Sequence, residues 1–279
     1  MPAALNIPID ILSDLYLNKR LSSRKIAKIF HCAYSTVDRK IRLANLPIKT
    51  LAGAHIVYPR KDFSGNLVEK AYLIGFRIGD LRVRKFYKNS ETISVDCGST
   101  KPAQIDLINK LFFQYGRIWV SKPGKKNKQQ IQCSLNLSFI FLLNKNPPYW
   151  IFRKKKLFFS FLAGFIDAEG SISVSHLNRI NSANLSIGNY DIILLRKIKL
   201  YLERFGIEVP KISFSPRKGL IASHGYAYNN DYWTLRISKK STLLRFFDII
   251  KPFLKHDDRI KQMEIAIKNI ERRNELYGE

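Results

Sequence analysis

Two helical patterns separated by a few residues open the chain. In the segment SSRKIAKIFHCAYSTVDRKIRL, Ser22 to Leu43, the residues Ile26, Ala27, Ile29 and Phe30 make one apolar face. Val37, Ile41 and Leu43 make a second, after a break at His31 to Tyr34. Ser22 or Ser23 can cap the first helix and Ser35 the second. Two short helices so joined resemble a helix-turn-helix, whose second helix enters the major groove. Ser35, Thr36, Arg39, Lys40 and Arg42 are then the residues facing DNA. The turn requires His31 to accept a left-handed backbone. Pro47 to Gly65, with Gly53 and Pro59, reads as a linker.

Further on, YLIGFRIGDLRV (Tyr72 to Val83) and FLAGFIDAEGSISV (Phe161 to Val174) are two copies of one pattern, about ninety residues apart. Each is an apolar helix ending in an acid and followed by an alternating strand. Aligning Leu73 with Leu162 pairs Gly75 with Gly164, Gly79 with Ala168 and Asp80 with Glu169. Small residues four apart lie on one helical face and let two helices approach closely. The copies are therefore expected to pack about a pseudo-twofold axis, bringing Asp80 and Glu169 together. Two ionised carboxylates at short range repel unless a cation neutralises them. Oxygen ligands with local negative charge suit Mg²⁺, which can also engage substrate phosphates. Asp167 has Ile78 as its counterpart, so a symmetric pair cannot use it, and a structural role is expected.

The strands alternate in the same sense. Ile131, Cys133, Leu135 and Leu137 interleave with Gln130, Gln132, Ser134 and Asn136, and Ile93, Val95 and Cys97 with Thr92, Ser94 and Asp96. Ser171, Ser173 and Ser175 interleave with Ile172 and Val174, and Thr234, Arg236 and Ser238 with Leu235 and Ile237. An outer face of amides, hydroxyls and Arg can read base edges, although any solvated sheet shares this look.

Charge narrows the partner. The 279 residues hold 48 Lys plus Arg against 22 Asp plus Glu, a formal net charge of +26. With 46% hydrophobic and 12% aromatic residues the chain is not a disordered one. The excess points to a polyanion, nucleic acid or an anionic surface. Arg82 and Arg84 follow the first acid; Lys122, Lys125, Lys126 and Lys128 surround Pro123-Gly124, a hairpin suited to phosphate contact; Arg153 to Lys156 precede the second copy as a further expected clamp. Cys32, Cys97 and Cys133 are too few and scattered for a disulfide framework or zinc site, which fits a reducing compartment. No secretory signal is read at the N-terminus. The longest apolar run, Leu157 to Ile166, is roughly half a membrane span, so a soluble cytoplasmic protein is expected.

LAGFIDAEG, Leu162 to Gly170, resembles the signature of the LAGLIDADG homing endonucleases, and LIGFRIGDL, Leu73 to Leu81, looks like a degenerate first copy with Arg77, Ile78 and Leu81 as departures. The resemblance, to the single-chain, two-motif type, covers about residues 65 to 275. It implies an α+β fold: two αββαββα repeats forming a saddle of antiparallel sheets, here after a small helical domain. The expected domains are residues 1–52 (helix-turn-helix), 53–68 (linker), 69–150 (first repeat) and 151–275 (second repeat). It also implies a monomeric, Mg²⁺-dependent, site-specific endonuclease acting on double-stranded DNA. Asp80 and Glu169, with the carbonyls of Gly79 and Ala168, are then the metal ligands. A basic residue after the helix that closes each repeat is implied near the chemistry; Arg259, within KPFLKHDDRIKQ, and Lys145, after LSFIFLLN, fill that place. His224 and His256 are expected to be incidental rather than ligands, since no spacing recruits them as a pair. An organellar matrix is the other location if the gene is organellar. The same fold admits a regulator that has lost cleavage and an RNA-binding maturase whose partner is intron RNA.

Overall fold

A computed structural model of the chain describes residues 7–278 apart from 51, 52, 54, 55, 57, 178, 179, 223, 224 and 226. Its first helix, α1 (Ile9–Ser13), runs on as a single π-helical turn, Asp14–Asn18. Helices α2 (Ser23–Ile29) and α3 (Tyr34–Leu43) follow. Ile7, Leu12, Leu15, Tyr16, Ile26, Ala27, Val37 and Ile41 enclose a small core separate from the main one. Ile29 and Leu43 do not join it; they are 52% and 76% exposed. At about 100° per residue Ile29 falls outside the arc from Ile26 to Ala27, and Leu43 lies nearly opposite Ile41. Ser22 caps α2 by accepting from the Lys25 amide at 3.3 Å. Ser35 caps nothing, because α3 already begins at Tyr34 and Ala33 holds the cap position. His31 has φ 49° and is the left-handed residue of the turn.

The rest is built from two copies of one plan. Helix α4 (Leu67–Gly79) leads into β1 (Arg82–Arg84), β2 (Ile93–Ser99), α5 (Pro102–Phe112), β3 (Ile118–Val120) and β4 (Gln129–Leu135). Helix α6 (Lys155–Glu169) leads into β5 (Gly170–Leu177), β6 (Ile180–Asn189), α7 (Ile192–Arg204), β7 (Ser213–Ser215), β8 (Tyr232–Ile237) and α8 (Lys240–Ile250), and α9 (Asp257–Tyr277) ends the chain. Both four-stranded sheets are antiparallel in the same order, β1-β2-β4-β3 and β5-β6-β8-β7. The first copy closes on a 3₁₀ segment, Leu137–Leu142, where the repeat plan has an α-helix. Strand β4 ends at Leu135, so Asn136 and Leu137 leave the sheet face. Asn136 instead caps the 3₁₀ segment, accepting from the Ser138 amide at 3.0 Å, and donates to Asp62 at 2.7 Å.

Helices α4 and α6 form the main helix pair. A methyl on Gly75 would strike the carbonyl oxygen of Phe161, and one on Gly164 that of Tyr72. Backbone therefore meets backbone at both positions, reciprocally, which only glycine permits. Flanking aromatics repeat the symmetry: Tyr72 stacks on Phe76 with centroids 6.2 Å apart, and Phe161 on Phe165 at 6.4 Å. Ser160, which interrupts the apolar run of α6, donates to the Val68 carbonyl at 2.7 Å across the same interface. Start α4 is fixed by Asn66, whose Oδ1 accepts from the Glu69 amide at 3.1 Å while Glu69 accepts from the Asn66 amide at 2.9 Å.

The segment before α4 is anchored rather than free. The Lys49 amide donates to the Tyr16 hydroxyl at 3.0 Å, and Arg60 Nη1 donates to Thr92 Oγ1 at 2.7 Å. Phe63 packs edge-on against Phe139, centroids 5.5 Å apart. Among the described residues no helix is long and apolar enough to cross a membrane.

Candidate active site and nucleic-acid face

The two acids stand where the paired helices end. Asp80 is the C-terminal cap of α4, and Glu169 is the last residue of α6. Gly79 makes their approach possible: a methyl there would meet Ala168 Cβ and, at 2.8 Å, Glu169 Cγ. The electrostatics carry the same message. The protein around Asp80 pushes its carboxyl up to about 6, although its side chain still reaches solvent. Burial raises Glu169 as well, and the negative charge of Asp80 adds to the rise. A paired acid site lifted in this way favours a bound cation.

Around Asp80 lies a cavity of about 340 Å³ lined by Lys101, Gln104, Lys128, Ala168, His256 and Arg259 among others. Gln104, on the first turn of α5, donates to Asp80 Oδ2 at 2.6 Å. Arg259 Nε donates to the Ile166 carbonyl at 3.4 Å and Nη1 to Gln262 at 3.0 Å; the side chain lines the same cavity as Asp80, and its charge acts to lower the Asp80 pKa. Burial lowers the Arg259 pKa, and the charges of Asp167, Asp258 and Asp80 act against that. His256 has a structural part in this region. It is buried, lines the cavity and caps α9 by accepting from the Asp258 amide at 3.2 Å. His224 lies outside the described residues.

Symmetry fails for the other basic candidate. Lys145 is exposed, and no hydrogen bond or ion pair joins it to either acid. It follows the 3₁₀ segment, and the first copy has no long final helix comparable to α9 to carry a cation inward. Near Glu169 stands Tyr232 instead, whose hydroxyl is raised by burial and by the Glu169 charge. Arg153 to Lys156 sit at the start of α6, and a rise of ~1.5 Å per residue puts them about 20 Å from Glu169. They do not flank the site.

Asp167 is buried and ties the halves together. Its Oδ2 accepts from the Tyr72 hydroxyl at 2.5 Å, the Lys255 amide at 2.8 Å and the His256 amide at 3.2 Å. Burial nevertheless dominates and pushes its carboxyl up to about 6 from 3.8. A carboxyl raised in the folded state favours the protonated native protein, so its contribution is present at low pH and lost as pH climbs. Wild type should lose up to about 3 kcal/mol relative to Asp167→Asn as pH rises through roughly 4 to 6. Urea unfolding of both proteins across that window checks this; parallel curves would refute it.

The sheet faces divide as the alternation predicts. Ile131, Cys133 and Leu135 are buried, whereas Gln130 is exposed and Gln132 and Ser134 are half-buried. Arg82 lies opposite Asp96, and Asp96 opposite Gln132. Ser171 and Ser173 are exposed, Ser175 is half-buried, and Ser171 lies opposite Ser186, which in turn lies opposite Arg236. Lys122, Lys125 and Lys126 project from the β3–β4 hairpin, with Lys126 at φ 57°. On α3, Ser35, Arg39 and Arg42 are exposed and Thr36 half-buried, while Lys40 turns back toward the Ile7 carbonyl at 3.5 Å.

Two carboxylates and neighbouring carbonyls give an oxygen-only donor set. Among the described residues no group of three or more His, Cys, Asp and Glu side chains could hold a metal. A hard cation that keeps several waters fits such a sparse set; zinc, which prefers a full set of N or S ligands, does not.

Solved structures with a likeness to the chain include the following three. I-DmoI in complex with DNA and Mn is 21% identical, with 68% of this chain and 99% of that one covered, at a TM-score of 0.45. The homing endonuclease I-WcaI bound to its DNA recognition sequence is 13% identical over 72% and 86%, at 0.46. The N-terminal LAGLIDADG domain of DUF199/WhiA is 22% identical over 70% and 88%, at 0.42. Residues 158–251, from the second motif helix to the end of α8, match the LAGLIDADG-like domain. That match falls on the second copy, and the first copy repeats the strand order of its sheet.

Proposed function

We propose that the protein is a site-specific DNA endonuclease that cuts both strands of a duplex laid along its two sheets. The observation that carries this reading is the meeting of Asp80 and Glu169 at the ends of α4 and α6, both raised by burial, beside a cavity bearing Arg259, Lys101 and Lys128. The net charge of +26 supplies long-range affinity for phosphates.

Asp80 and Glu169, with the Gly79 and Ala168 carbonyls, would hold a divalent cation, Mg²⁺ or a similar ion. When bound, such an ion polarises a phosphoryl oxygen and makes water a better nucleophile. Gln104 fixes the rotamer of Asp80, so the carboxylate is in place before substrate arrives. Arg259 presents a positive charge where negative charge grows on the phosphate, and Lys101 and Lys128 hold the backbone. The α2–α3 pair, through Ser35, Thr36, Arg39 and Arg42, and the lysine hairpin add contacts outside the cut. One chain contains both acids, so a monomer suffices. Cytoplasm or an organellar matrix is the proposed setting.

Incubating the protein with Mg²⁺ and a plasmid library of random inserts, then sequencing new ends, tests the activity. Staggered breaks at one recurrent sequence are expected. Binding without cutting would instead favour a regulator, and a preference for folded intron RNA a maturase. The metal has its own readout. At pH 7.5, added Ca²⁺ or Mg²⁺ should raise the melting temperature by several degrees, because an ion bound only by the folded state stabilises it. In Asp80→Asn/Glu169→Gln the rise should vanish.

A further inference from the structure

The open face of the first sheet carries an ordered charged network. Arg84 Nε lies 3.3 Å from Asp96 Oδ2. Asp96 also accepts from Ser94 Oγ at 3.2 Å, and Ser94 accepts from Gln132 Nε2 at 3.3 Å. The chain of contacts thus crosses three neighbouring strands, β1, β2 and β4. One face of the Arg84 guanidinium is covered by the exposed Phe86 ring, 4.5 Å from its centroid.

This arrangement uses the Nε side and one face of the guanidinium. Nε is buried and makes no hydrogen bond, so the Asp96 charge and the ring hold the group, and among the described residues no hydrogen bond engages its two Nη atoms. A long side chain ordinarily loses much rotamer freedom on making a specific contact; here the ion pair and ring limit that freedom beforehand. Two parallel N–H donors in a fixed plane match O6 and N7 of guanine in the major groove. Asp96, neutralised by Arg84, does not repel the duplex as a lone acid would.

The second copy lacks this device. Counting from the paired acids, Ser173 takes the place of Arg84, and its partner across the strands is Asn184, where Arg84 has Ser94. Ser173 Oγ and Asn184 Oδ1 are 3.4 Å apart, a neutral pair. The two sheets therefore offer different chemistry at equivalent places.

We propose that Arg84 reads a guanine in the half-site facing the first sheet, and that Asp96 is the positioning residue that aims it, with Phe86 as its platform. This rests on the duplex-binding reading above. The test is selection from a pool of random duplexes in Ca²⁺ by the full chain, its Arg84→Ala, Asp96→Asn and Phe86→Leu variants, with melting temperatures as the folding control. Wild type should enrich a motif with one position dominated by G. Arg84→Ala should lose the preference there and keep the rest of the motif. Asp96→Asn should weaken discrimination at that position about 10-fold, within the range of one bidentate pair, with binding to non-target duplex unchanged. Phe86→Leu, which leaves the charges intact, should act in the same direction if Asp96→Asn does not fold. An unaltered motif in Arg84→Ala overturns the proposal, as does an equal loss for all sequences with a shallower salt dependence, the mark of a phosphate contact. Failure of the wild type to enrich any duplex would overturn the DNA reading itself, and this inference with it.

Discussion

Asp80→Asn and Glu169→Gln should each reduce cleavage by roughly 10³-fold while leaving duplex binding within a few-fold of wild type. Each change removes a full negative charge and half of the acidic donor set but keeps the side chain's shape. Asp80→Asn also keeps an oxygen for the Gln104 amide, so the packing around it survives. On the proposed reading, binding is spread over the sheets and basic loops, with Lys101 and Lys128 beside Asp80 as one part of it. Neither variant should be less stable than wild type without metal, because both raised carboxyls cost the folded state energy when ionised. Cleavage of a mapped target, read beside gel-shift affinity, separates the two effects. Full cleavage by either variant would remove the carboxylate pair from the chemistry.

Replacing Gly164 with Val should destabilise the protein by about 3–5 kcal/mol or prevent folding, and Gly75→Val should do the same. The obstruction at each is a backbone carbonyl, Tyr72 O or Phe161 O, which cannot swing aside as a side chain can. Relief requires the helices to separate, and separation opens the core they share. It also moves Asp80 away from Glu169, so any folded remnant should cut poorly. Gly124→Ala is the control, since its methyl would come only within 3.3 Å of the Lys128 carbonyl in an exposed loop. Chemical denaturation of the three variants checks the order. Equal stability for Gly164→Val and Gly124→Ala would mean that the helix pair is looser than described.

These two expectations draw on the parts of the molecule most legible in the sequence. The repeat, the acids at its end and the small residues four apart are written in contiguous stretches. Alternation likewise places Ile131 and Cys133 inside and Gln130 outside. Other features rest on contacts that no contiguous pattern displays. Asn136 continues an alternating pattern, yet it leaves the sheet because a polar residue at that point caps the next turn. The segment before α4 looks like a linker by composition, yet Arg60 and Phe63 find partners far along the chain. Lys145 and Arg259 look alike beside their repeats, but only the second copy has the long final helix that carries its cation to the site.

From the sequence alone came the N-terminal helix pair, the two motif helices, several strands, the repeat and the candidate pair of acids, because periods of 3.6 and 2 are set by neighbours along the chain. Only the tertiary structure decided which groups surround those acids. Gln104, His256 and Arg259 come to Asp80 from other elements, and Asp167 bonds a tyrosine of the opposite helix. Such meetings depend on how helices and sheets pack, and a sequence pattern fixes the face a residue occupies without fixing what is brought against it.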